Sequence, residues 1–162
     1  MTDRLLLTFH AGSSTVKIGL FALEPAGARR IGKGMIDFRH APLRFSLSEG
    51  PDTFDIALEA AEDDELHAVL AEAFHRLSWH FDMDSVAAIG HRVVHGGPRY
   101  AAPQRLTKEV IGDLRTLSAF DPEHLPQEIR LIEAFAEHFP GIPQIACFDT
   151  AFHHDLPAVA PL

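Results

Sequence analysis

The sequence has a single cysteine, Cys147, among its 162 residues. One thiol cannot close an intrachain disulfide, so a disulfide scaffold is excluded and nothing points to an oxidising compartment. Long apolar runs are missing too: no stretch approaches the roughly 18 residues that a membrane span requires. The apolar run after Met1-Thr2-Asp3-Arg4 is too short, and too soon broken by polar residues, to be a signal peptide. The expected location is the cytoplasm. Positive charge is scarce, with 14 Lys plus Arg against 23 Asp plus Glu and a net charge of −9. Phosphate backbones are gripped mainly by Lys and Arg, which argues against nucleic acid as a partner. A small phosphate-bearing molecule stays open, because charge inside a cleft decides that affinity and net charge does not.

What is present is the composition of an ordinary globular chain, 46% hydrophobic and 23% charged. The length suits one domain and allows a real core. Eleven histidines are the one oddity. Leu5 to Phe9 reads as a buried strand ending at the polar turn His10-Ala11-Gly12-Ser13-Ser14. Thr15 to Leu23 alternates as a second strand, with Val16, Ile18, Leu20 and Ala22 on one face. Arg30 to Phe38 and Leu43 to Leu47 continue a meander. From Thr53 to about Leu77 the apolar spacing becomes helical. Val86 to Val94 is the next strand, Thr107 caps a helix through Leu117, Pro122 to Phe139 is another helix, and Gln144 to Phe148 a last strand. The order predicts an α/β fold with a mixed sheet and an N-terminal β-meander.

Three segments share one layout, an apolar strand that stops at small and polar residues, where ligands sit in open α/β sheets. In the first, Gly12 permits close backbone approach, Ser13, Ser14 and Thr15 offer hydroxyls, and Lys17 offers a cation. That suits a phosphate or a plain polar hairpin turn. It is not a P-loop, because the second glycine and the Lys-Ser/Thr pair are missing. In the second, Gly90-His91-Arg92-Val93-Val94-His95-Gly96-Gly97, an arginine among apolar strand residues needs an anionic partner, either a ligand or an Asp or Glu. His91 and His95 are spaced for a metal on a helix, but their Val-Val and glycine surroundings read as strand. In the third, Cys147-Phe148-Asp149-Thr150-Ala151-Phe152-His153, Asp149 is placed for metal or general-base work, or to cap the following turn. Cys147 reads as core packing.

Together the segments resemble the acetokinase family, the acetate, propionate and butyrate kinases. Phe9-His10-Ala11-Gly12-Ser13-Ser14-Thr15-Val16-Lys17 is similar to its N-[AC]-G-S-S-[ST]-x-K signature, and Gly90 to Gly97 matches its second signature. Pro122-Glu123-His124-Leu125-Pro126 resembles its P-L-H-N-P segment, and Pro143 to His153 its P-x-V-x-V-F-D-T-A-F-H stretch. The resemblance implies the actin-like, ribonuclease-H-like fold. It also implies reversible phosphoryl transfer from ATP to a short carboxylate, giving an acyl phosphate and ADP with Mg²⁺. It assigns Lys17, with Gly12, Ser13 and Ser14, to ATP phosphates, Arg92 to the carboxylate or acyl phosphate, and Asp149 and His124 to catalysis. The family's metal-binding asparagine corresponds to His10, whose imidazole is a poor Mg²⁺ ligand beside an amide oxygen.

Family members continue well beyond the position of Leu162, through a G-x-H-G-x-S-H segment, a second arginine, adenosine-binding loops, a metal-binding glutamate and most of a homodimer interface. Residues 1–162 are therefore expected to form a partial N-terminal acetokinase-type domain, lacking the nucleotide-binding domain and inactive alone. The alternative is a non-catalytic remnant or interaction module.

Overall fold

The structure is a computed structural model that describes residues 4–60, 66–94 and 96–149. Five consecutive antiparallel strands open it: β1 Leu5–Ala11, β2 Thr15–Glu24, β3 Gly27–Asp37, β4 Arg44–Glu49 and β5 Asp52–Ala57. Helix α1 Leu66–Leu77 follows, then β6 Val86–Val93, the two-residue β7 Gln104–Arg105, helices α2 Lys108–Leu117 and α3 Leu125–His138, and β8 Gln144–Phe148. All eight strands share one sheet in the order β5-β4-β3-β2-β1-β6-β8-β7. β6 runs parallel to both β1 and β8, and β7 runs antiparallel to β8 at the edge. The sheet is mixed, as the sequence predicts.

Alternation along the strands decides which face is covered. Leu5, Leu7 and Phe9 of β1, Val16, Ile18 and Leu20 of β2, and Phe45 and Leu47 of β4 are buried, while their neighbours, apart from Gly19, are partly or fully exposed. Helix α1 turns Val69, Leu70, Ala73, Phe74 and Leu77 onto this face, at helical spacing. α3 adds Leu131 and Phe135, whose ring stacks at 3.9 Å between centroids on Phe9. A second apolar cluster joins Val93, Phe148, Leu114, Leu125 and Ile129 beneath α2 and α3. Burying a side chain of this size stabilises by roughly 1.5–3 kcal/mol, so the helical side holds the sheet in register.

The predicted helix from Thr53 to Leu77 is only half right. Residues Asp52–Ala57 form strand β5, paired with β4 through a tight turn at Gly50, whose φ of 58° suits glycine. Phe54 and Ile56 alternate with exposed Thr53, Asp55 and Ala57, a period of two that the wider helical spacing masked. The Thr107 cap is as read: its side chain accepts a hydrogen bond from the Val110 N–H at 3.2 Å. Among the described residues, no helix is long and apolar enough to cross a membrane.

Candidate functional site

Strand register sets four chemically active positions side by side. His10 pairs with Lys17 across β1 and β2, Phe9 pairs with His91 across β1 and β6, and Arg92 pairs with Cys147 across β6 and β8. Lys17, His10, Arg92 and Cys147 thus form one transverse row on the face away from the helices. They border a trough of about 660 Å³. Its floor is low because Gly19 and Gly90 carry no side chain; a Cβ on Gly19 would collide with the Thr8 hydroxyl. Lys17, Arg30, Lys33 and Arg92 line the trough, and among the described residues no carboxylate does. A chain of net charge −9 therefore gathers four cations in one concavity, which is an anion-binding arrangement.

Arg92 is half exposed, so burial does not force its pairing, contrary to the cost inferred from its apolar neighbours. Its Nε donates to Asp149 Oδ1 at 2.8 Å. Its Nη1 lies 3.4 Å from both ring nitrogens of His10, of which only the unprotonated one accepts. Asp149 thus steadies one edge of the guanidinium. Burial, together with Arg92 and Lys17, lowers the pKa of His10, and Asp149 opposes them weakly. At neutral pH the ring is an uncharged hydrogen-bonding group between two cations.

The Gly12-Ser13-Ser14 turn closes a hairpin and opens no helix. Gly12 N–H donates to the Thr15 carbonyl at 2.7 Å, and Phe38 N–H to the Ser14 carbonyl at 2.9 Å. The turn lines a separate cavity of about 460 Å³, into which α3 brings Gln127 and Arg130. No sequence motif marks Arg130 as a partner of this loop; folding α3 back beside β1 supplies it.

His124 stands at the N-terminus of α3. Its Nδ1 and backbone N–H both lie 3.1 Å from Asp121 Oδ1, and this contact raises its pKa. It lines neither cavity. Between it and Arg92 lies Glu128, a 5% exposed carboxyl that the sequence reading passed over. The signal was present: Leu125, Glu128, Ile129 and Ile132 form one buried stripe, with an acid where an apolar residue belongs.

Cys147 is exposed and faces the trough, which corrects its reading as core. His91 points the other way, buried against Phe9 and Phe135, with Nε2 2.5 Å from Gln144 Oε1. A zinc site shared with His95 is therefore not supported by the side of β6 that His91 occupies. His95, Thr150 and His153 lie outside the described residues. Among the described residues, no cluster of three metal-binding side chains occurs.

The sequence profile of the acetokinase family matches residues 5–162. Acetate kinase of Rhodopseudomonas palustris is 40% identical over 99% of this chain and 40% of its own length. Acetate kinase of Nitrobacter hamburgensis is 37% identical over 96% of this chain and 39% of its own. The chain thus spans about 40% of the length of the curated relatives it matches. Among solved structures, a propionate kinase from Francisella tularensis superimposes with a TM-score of 0.77 at 27% identity, over 96% of this chain and 39% of that one. The acetate kinase of Porphyromonas gingivalis gives 0.77 at 24% identity, over 95% and 39%. The fold is the one these kinases share, and the chain belongs to the acetokinase family.

Proposed function

We propose that this chain forms the acyl-phosphate-binding wall of an acetate kinase-type enzyme, which transfers phosphoryl reversibly between ATP and acetate or a similar short carboxylate. The observation that carries this reading is the row Lys17–His10–Arg92 beside Asp149, bordering a trough that no carboxylate among the described residues lines. Phosphoryl transfer needs positioning and stabilisation of charge on three equatorial oxygens more than it needs covalent chemistry. The Nη edge of Arg92 is free of carboxylates among the described residues and suits bidentate capture of a carboxylate or phosphate. Lys17 adds a point charge two strands away, across β1. Asp149 holds the fork in place. Neutral His10 donates or accepts at the same oxygens without repelling Arg92. The Gly12-Ser13-Ser14 turn, with Arg130, takes the nucleotide phosphates, and His124 acts from the N-terminus of α3.

The residues at His10 do not fit a Mg²⁺ ion, since the ring lies between two cations. Asp149 is the carboxylate bonded to Arg92, so an ion carried on substrate phosphates would find an oxygen donor there and would offset their charge. The relatives use more than twice this length, so residues 1–162 are read as one wall of a cleft whose nucleotide-binding wall lies elsewhere, in a cytoplasmic enzyme that works as a homodimer.

Calorimetry with acetyl phosphate tests the reading. Wild type should bind it, and Arg92→Ala should weaken binding at least tenfold, about 1.4 kcal/mol. Equal affinities would overturn the assignment of Arg92. Hydroxamate detection of acetyl phosphate from acetate and MgATP should show no turnover by these 162 residues. Turnover at an ordinary kinase rate, about 1–100 s⁻¹, would refute the division into two walls.

A further inference from the structure

Among the described residues, the buried carboxyl of Glu128 forms no ion pair. Its two oxygens share a single donor, the Val94 N–H, at 3.3 Å each. A carboxylate at this depth ordinarily takes two or more hydrogen bonds or an ion pair. Val94 is the first residue past β6, where neither β1 nor β8 continues the ladder. Its N–H therefore depends on Glu128. The backbone at Gly96 is closely packed: a Cβ there would meet Tyr100 Cβ at 2.6 Å. Every charged neighbour of Glu128 belongs to the site: Asp121 and His124 before α3, Asp149 after β8 and Arg92 on β6.

We infer that Glu128 is a proton-controlled positioning residue: it accepts from Val94 in both states, protonated it leaves the charge of Arg92 undiminished for an anion, and ionised it sets a negative charge behind the anion site. The assignment rests on the reading of Arg92 as the anion's partner. Burial raises the pKa of Glu128 to about 7, with Asp121 and Asp149 adding to the rise and the Val94 N–H and His124 opposing it. The change of state thus falls in the neutral range. Glu128→Gln keeps an acceptor for Val94 and removes the titration.

Two measurements decide the matter. The first needs no ligand: the ¹⁵N shift of the Val94 amide should titrate with a midpoint near pH 7 in wild type and lose that component in E128Q. The second uses sulfate, a tetrahedral dianion that does not itself titrate here, with affinities measured from about pH 5.5 to 8.5. The ratio of wild-type to E128Q dissociation constants should be near one at the acid end and rise roughly three- to tenfold at the alkaline end. His10 is common to both proteins and cancels in the ratio; His124 feels the charge of Glu128, so both proteins carry His124→Gln in this comparison. A Val94 amide indifferent to pH, or a flat ratio, overturns the inference. Failure of sulfate to bind in an Arg92-dependent way defeats the anion-site reading instead, and leaves the amide titration to decide whether Glu128 positions Val94. Glu128→Ala, which removes the acceptor, should raise hydrogen exchange at Val94, whereas E128Q should not.

Discussion

His91 and Glu128 are buried ionisable groups on neighbouring elements, and their effects on stability oppose each other. Burial lowers the pKa of His91 from its ordinary 6.5 to about 4, with only the Gln144 contact resisting. Between those values the unfolded chain binds the proton and the folded chain does not, so stability rises with pH. At about 1.4 kcal/mol for each pH unit, His91 contributes about 3 kcal/mol above pH 6.5, and this is lost as pH falls toward 4. Glu128 moves from 4.5 to about 7. The folded chain holds its proton where the unfolded chain has released it, so its contribution is complete below pH 4.5 and lost as pH rises through 7. From pH 4.5 to 6.5 the two slopes nearly cancel. Urea unfolding of wild type, His91→Gln and Glu128→Gln across that window exposes each in turn. Relative to wild type, E128Q should gain about 2–3 kcal/mol from the acid to the neutral end, and H91Q should lose about as much. The comparison reads slopes, so any constant cost of either substitution drops out. Three parallel curves would refute the reasoning and would mean that water reaches both groups in the folded state.

Alkylation tests the placement of Cys147. Burial raises the pKa of its thiol, so iodoacetamide should react faster as pH is raised, and sulfate or acetyl phosphate in the trough should slow it; an unaffected rate would place the thiol outside the anion site. Thr107→Ala should cost about 1 kcal/mol in urea unfolding through loss of the α2 cap, and Thr107→Ser should restore most of it. Arg130→Ala should weaken triphosphate binding at the Gly12-Ser13-Ser14 turn by severalfold in calorimetry while leaving urea stability within about 0.5 kcal/mol, because its side chain is exposed.

What could be read from the sequence was local. Strands β1, β2, β6 and β8 announce themselves as apolar runs that stop at glycine or polar residues, and three of the four segments that carry the family resemblance lie at the stops of β1, β6 and β8. β5 was lost because its alternation spans only six residues and adjoins a helical stretch, so a window wide enough to detect a helix averages it away. Cys147 was misjudged because β8 reads as mostly apolar, although Ile145 and Cys147 alternate with buried residues and Cys147 lines the trough.

The parts of the site that were not legible are those made by register and by helix return. Arg92 is distant in sequence from His10 and Lys17, and only the pairing of β1 with both β2 and β6 sets the three in a row. A one-residue slip of β6 against β1 would turn Arg92 into the core and His91 into the trough. The buried His91–Gln144 contact, which ties β6 to β8 from the covered face, opposes that slip. Gln144 in turn donates to the Ile132 carbonyl of α3 at 3.3 Å. The same helix carries Glu128 to Val94 and Arg130 to the Gly12-Ser13-Ser14 cavity. One helix therefore sets three features of the anion-binding face: the register of β6, the end of β6 and the far side of the glycine turn. This accounts for acidic and basic side chains on a helix whose buried stripe could have been wholly apolar. Glu128 costs stability at neutral pH that a leucine there would not, and the Val94 contact is the structural return for that cost.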